Sequence, residues 1–132
     1  MKVKKRVLCP ERLRRVPAQF SWIDQQLVRQ PGYLQRCDLG ALALYLILVT
    51  VGDAEGLSYY SDESLQRLLR IERAQFLQAR HQLSEAGLIV YEHPLYQVLC
   101  LQPTVAQAAA APRAEQSRSA KEILQHILGG QP

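Results

Sequence analysis

The chain has 132 residues, 48% of them hydrophobic, with sixteen Lys and Arg against twelve Asp and Glu and a formal charge of +4; that suits one domain plus tails, with enough apolar side chains for a core. The longest apolar run, Leu39 to Val51, would span about 20 Å as a helix, too short for a bilayer, and no apolar signal region follows the basic start, so the cytoplasm is the expected location. Cys9, Cys37 and Cys100 are odd in number and far apart, without a CxxC or His/Cys cluster, which points to neither a disulfide framework nor a metal site.

Residues 1–15, "MKVKKRVLCPERLRR", have no sustained period and read as a basic arm. Residues 1–37 hold nine Lys/Arg and two acids, residues 38–101 four and eight, and residues 102–132 three and two. The basic character therefore lies in the arm, while the segment with the apolar patterning carries a net −4. Such arms often bind nucleic acid, and the plainer alternative is a solvated tail. Next, Ala18, Phe20 and Trp22 alternate, which predicts a short N-terminal strand. "IDQQLVRQ" predicts a helical turn or two before Pro31-Gly32 breaks it.

Asp38 is placed to cap the apolar helix that follows, "LGALALYLILVTVG", which is apolar on nearly all sides and should be covered on most of its surface. "LSYYS", residues 57–61, is a strand candidate. Ser61 caps a second helix with Asp62 and Glu63 in its first turn, where the helix dipole favours acids. Leu65, Leu68 and Leu69 give that helix one apolar face. "RLLRIERAQ" reads as a tight turn into a third helix over 72–86, whose Phe76, Ala79 and Leu83 recur at helical spacing. Gly87 suits a left-handed helix end. "LIVYEH" and "YQVLCL", joined at Pro94-Leu95, predict a β-hairpin. Beyond Gln102, "PTVAQAAAAPRAEQSRS" has linker composition over 102–117. Residues 118–130 then predict an amphipathic tail helix, with Ser119 and Glu122 in capping-box spacing and Ile123, Leu124, Ile127 and Leu128 on one stripe.

Helix, short strand, helix, turn, helix, hairpin is winged helix-turn-helix topology. The expected fold class is α+β, mainly helical, with the short N-terminal strand and a two-stranded C-terminal wing, over residues 16–101. The stretch from "FSWIDQQL" through "LGALALYLILVTVGDAEGLSYYSDESLQRLLRIERAQFLQARHQLSEAGLIVYE" resembles the winged-helix domains of plasmid and phage replication initiators and of DnaD-like replisome organisers. It is also similar to small helix-turn-helix proteins of mobile elements. The likeness covers roughly residues 18–101 and rests on the "LYLIL" helix, "S-x-E-S-L" opening the second helix and "L-x-x-A-G-L-I" closing the third. Most members of these groups bind DNA, and others use the fold as a protein-interaction module.

The resemblance implies that the third helix enters the major groove. Opposite its buried stripe lie Arg73, Ala74, Leu77, Gln78 and His81, the expected base-reading residues. Arg73 suits guanine, Gln78 suits adenine, and Ala74 or Leu77 suits a thymine methyl. Arg67 and Arg70 near the turn are expected to reach phosphates. The wing "YEHPLYQ" has no Lys or Arg, so Lys2, Lys4, Lys5, Arg6, Arg12, Arg14 and Arg15 of the arm have to supply most of the phosphate contacts. His81, His93 and His126 are scattered, with no Gly-rich phosphate loop and no HExxH; no enzyme activity, cofactor or metal is expected. The expected function is sequence-specific DNA binding, as a transcription regulator or a replication or mobile-element accessory factor. The alternative is a winged-helix interaction module in a larger nucleoprotein or mobile-element assembly. The expected partners are double-stranded DNA, a second copy joined through helix 39–52 and the N-terminal segment, and a protein that takes the tail helix.

Overall fold

A computed structural model of the protein describes residues 3–101. Lys2, the linker over 102–117 and the tail helix over 118–130, with Ile123, Leu124, Ile127 and Leu128, lie outside the described residues. The elements are α1 (Gln26–Arg29), α2 (Leu39–Val51), β1 (Leu57–Ser58), α3 (Asp62–Leu69), α4 (Arg73–Glu85), β2 (Ile89–Glu92) and β3 (Leu95–Val98), with single 3-10 turns at Pro10–Arg12 and Leu34–Arg36. They form an α+β arrangement in which the helices pack beside a three-stranded antiparallel sheet of order β1-β3-β2.

Local chemistry sets the helix ends. Asp38 is extended, and its side chain accepts from the Ala41 N–H at 2.8 Å, so one orphan donor at the start of α2 is satisfied. The same residue is tied to α4: its N–H donates to Gln82 Oε1 at 2.8 Å and its Oδ2 accepts from Gln82 Nε2 at 3.3 Å. Ser61 Oγ accepts from the Ser64 N–H at 3.1 Å and starts α3. Helix α3 ends on Arg70, a non-glycine residue at φ 58°, and the Arg70 and Ile71 N–H groups both reach the Gln66 carbonyl. Helix α4 ends in a Schellman motif: the Leu88 N–H donates to the Leu83 carbonyl and the Gly87 N–H to that of Ser84. Leu83 and Leu88, which this motif brings together, are both fully buried. Gly87 takes φ +78° and delivers the chain into the hairpin.

The core lies between α2, α4 and the sheet. It is built from Ala41, Leu44, Tyr45 and Leu48 of α2, Leu65 of α3, Phe76, Ala79 and Leu83 of α4, and Leu88, Ile89 and Tyr96 from the hairpin. Strand β3 is central, with Tyr96 opposite Tyr91 on one side and Ser58 on the other. The hairpin turn is His93-Pro94, joined by a cis peptide bond.

Two expectations are corrected. Residues 18–22 form no strand: Phe20 and Trp22 stand exposed, and the segment is held to α2 by one hydrogen bond, from Ser21 Oγ to the Thr50 carbonyl at 3.4 Å. Alternation alone makes no strand without a neighbouring ladder, and the sheet is completed by β1 and the hairpin. Leu68 does not share the buried face of α3 but is exposed; it sits about 60° around the helix from Leu65, off the contact with α2. Helix α2 is covered along most of its surface, as expected: ten of its thirteen residues are buried or partly buried, and Leu39, Leu46 and Thr50 are exposed.

Two glycines with positive φ separate backbone strain from crowding. A Cβ on Gly87 would meet nothing within 4 Å, whereas one on Gly56, at φ +82°, would lie 2.7 Å from the Val98 carbonyl oxygen. Gly87→Ala should cost about 1–2 kcal/mol, the left-handed penalty alone. Gly56→Ala should cost more, because β3 must also shift away from its bond with Gly56. Urea unfolding of the two variants checks the order.

Candidate functional site

Helix α4 divides its side chains by periodicity. Phe76, Ala79 and Leu83 are fully buried, while Arg73, Ala74, Leu77, Gln78 and His81 are all exposed. The five residues expected to read bases therefore share the outward side of one rigid helix. Arg67 and Arg70, at the end of α3 and in the turn before α4, are exposed too. Arg73 is not wholly unrestrained: its guanidinium lies 3.7 Å from Asp62 at the start of α3. Such an ion pair, with Arg73 largely in solvent, holds a side chain weakly and yields to a better ligand.

The arm residues Lys4, Lys5, Arg6, Arg12, Arg14 and Arg15 are exposed on a segment without helix or strand apart from its one 3-10 turn. Every residue from Val3 to Asp24 is exposed.

Reasoning from the sequence missed Arg80. Its guanidinium sits inside the domain with the side chain only 16% exposed. It donates from Nη1 to Asp62 Oδ1 at 2.9 Å and to the Tyr96 hydroxyl at 2.8 Å. The Phe76 ring lies 5.0 Å and the Tyr91 ring 4.1 Å from its central carbon. One cation thus ties α3, α4, β2 and β3 together. Burial works against the charge, but hydrogen bonds to Tyr96 and Asp62 outweigh it, so the guanidinium is held above its ordinary pKa. Burial raises the Tyr96 hydroxyl despite the opposing effect of Arg80, and burial likewise raises Tyr45. Phe76 and Arg80 stand in the i,i+4 spacing of neighbours on a helix, which was the one local clue. Asp62 and Tyr96 lie 18 and 16 residues away, and no spacing rule connects them.

Above this network an open cleft of about 490 Å³ lies between the starts of α3 and α4 and the hairpin, lined by Tyr59, Tyr60, Asp62, Arg73, Tyr91 and His93 among others. Tyr91 Oη and His93 Nδ1 are 3.1 Å apart, which seats the hairpin turn at its rim. Glu63 also lines it, so the cleft is aromatic and acidic where the outer face of α4 is not. Among the described residues, no three His, Cys, Asp or Glu side chains are grouped to hold a metal ion. No described helix is long and apolar enough to cross a membrane. No family model, curated protein or solved structure matches the chain.

The buried network gives a pH-dependent prediction. Tyr96 and Tyr45 have pKa values raised above 10.0 in the fold. The folded state therefore keeps its phenolic protons after the unfolded state has released its own. This contribution is fully present below about pH 10 and is lost as pH rises through the folded values. Tyr96→Phe should cost about 1 kcal/mol at neutral pH, by removing one acceptor from Arg80, and should flatten the alkaline fall, leaving the part due to Tyr45. Urea unfolding of wild type and variant from neutral pH to above pH 10 measures both effects.

Proposed function

We propose that the chain is a winged-helix protein that binds double-stranded DNA sequence-specifically, as a transcription regulator or as a replication or mobile-element accessory factor. In this reading α3 and α4 are the helix-turn-helix and β2–β3 the wing. The observation that carries it is the outward face of α4, where Arg73, Ala74, Leu77, Gln78 and His81 stand together in solvent. A bidentate donor, an amide that both donates and accepts, and two apolar groups at one helix start match the chemistry of major-groove edges. Arg67 and Arg70 flank this face and meet phosphates. The exposed arm, with Lys4, Lys5, Arg6, Arg12, Arg14 and Arg15, supplies the long-range attraction that residues 38–101, at −4, lack. The chain does no chemistry on its DNA and needs neither cofactor nor metal.

That acidic balance also favours a second reading, a winged-helix module that docks on protein within a nucleoprotein or mobile-element assembly. The hairpin has no Lys or Arg, and Asp62 and Glu63 line the cleft beside it. Those groups repel phosphate and suit a basic protein surface.

Selection of a preferred duplex from random sequences, followed by affinity measurements across a salt series, separates the two. Arg73→Ala should lower affinity for the selected site by about 1–3 kcal/mol and relax preference at one base pair, with folding unchanged. Removing residues 1–15 should weaken binding to all sequences together. It should also flatten the dependence of log affinity on log salt, by about 0.9 for each phosphate that the arm neutralises. Failure of the selection to enrich any sequence, with no salt-dependent binding, would leave the protein-docking reading.

Arg70 gives an independent check because its two roles pull in opposite directions. Its positive φ costs a non-glycine residue about 1–2 kcal/mol, part of which glycine returns as chain entropy. Arg70→Gly should therefore melt slightly higher than wild type while binding DNA more weakly.

A further inference from the structure

The cleft above Arg80 is lined by groups that the domain leaves only partly engaged. Tyr59 is 75% and Tyr60 39% exposed beside it, and Tyr91, already against Arg80, lines it too. Asp62 and Glu63 stand among these rings. The Asp62 side chain is only 21% exposed. Its Oδ1 accepts from Arg80 at 2.9 Å, but its Oδ2 has Arg73 at 3.7 Å, beyond hydrogen-bonding distance. Glu63 is exposed and has no ion-pair partner among the described residues. At about 490 Å³ the cleft is the size of a small-ligand pocket, enough for one long side chain and the backbone beside it.

We propose that the cleft receives an arginine side chain of a partner protein, which takes the place of Arg73 on Asp62 Oδ2, meets Glu63 and lies among the tyrosine rings. The inference deepens the protein-docking reading and rests on it for the partner being a protein. Charge selects a cation: residues 38–101 carry eight acids against four Lys/Arg, and the hairpin has neither Lys nor Arg, so an anionic group is repelled. The rings select a guanidinium over an ammonium, because it is planar, more weakly hydrated and stacks on aromatic faces. The domain already holds one guanidinium in this way, for Arg80 donates to Asp62 and lies 4.1 Å from the Tyr91 ring. The cleft offers the same chemistry at the surface, with the second oxygen of the same carboxylate. Arg73 is the resident competitor. Its side chain is 62% exposed and weakly held, so it yields to a guanidinium that also reaches Glu63 and the rings.

The probe is a capped Gly-Gly-Arg-Gly-Gly peptide, with citrulline in place of its arginine as the neutral control. Titrated into the isotope-labelled full chain at low ionic strength, the arginine peptide should shift the amide resonances of Tyr59 to Glu63, Arg73 and Tyr91 to His93. The citrulline peptide should bind at least about tenfold more weakly. Glu63→Gln and Tyr59→Ala, both at exposed side chains, should each weaken the arginine peptide about twofold to fivefold. Arg73→Ala should strengthen it by freeing Asp62, the opposite of its expected effect on DNA binding. Cleft resonances that do not move, or citrulline that binds as well as arginine, overturn the proposal. A random peptide library panned on the same chain separates this site from the reading beneath it. Enriched peptides that shift resonances elsewhere, or that fill the cleft without arginine, overturn the site and leave protein docking standing. No binding by the arginine peptide and no enrichment from the library remove both.

Discussion

The domain is organised around one cation that it has to bury. Arg80 sits between the start of α3 and the two strands of the hairpin, donating to Asp62 and Tyr96 and lying against the rings of Tyr91 and Phe76. A guanidinium taken out of water carries a large desolvation cost, tolerable only where its donors find acceptors and its faces find rings. Asp62, Tyr91 and Tyr96 come from α3, β2 and β3, so the angle at which the hairpin leaves α4 is set by what Arg80 requires. Apolar packing alone would tolerate sliding of α4 against the hairpin. A directional network does not, because displaced partners would leave a buried charge unpaired. Asp62 links this network to the surface, for it accepts from Arg80 and also lies near the exposed Arg73.

Helix α2 works by the opposite principle. It has no charged residue, and its polar ties are at its ends: Asp38 to Gln82 at the start and Ser21 to the Thr50 carbonyl at the finish. Between them, Ala41, Leu44, Tyr45 and Leu48 fill the core chiefly against α4. The fold thus uses α2 as an apolar backing and α4 as the divider between core and outer face.

What the sequence made legible follows from how local the cause is. The caps at Asp38 and Ser61 and the glycine at 87 act within four residues, and the helix limits they imply agree with those observed to within a residue or two. The buried stripe of Phe76, Ala79 and Leu83 was readable because helical period is a local property, and the outward residues followed by subtraction. The segment around Phe20 and Trp22 misled because alternation is also local, whereas a strand needs a partner. Arg70 carries a left-handed turn that composition assigns to glycine or asparagine, so the residue gave no warning of its backbone. Arg80 was the deepest miss. Its partners come from distant parts of the chain, and an arginine beside an apolar stripe usually reads as solvated.

The acidic balance of residues 38–101 limits how the outer face of α4 can be used. If α4 reads a duplex, its side chains meet the bases from a domain whose own charge repels phosphate, so the attraction has to come from outside that domain. The exposed Lys and Arg side chains of residues 3–15 are where it would come from. Affinity and base reading would then sit on different parts of the chain: the arm would set how tightly any duplex is held, and α4 which duplex is preferred. If the outer face docks on protein instead, the arm has no such task, and its charge serves solvation alone.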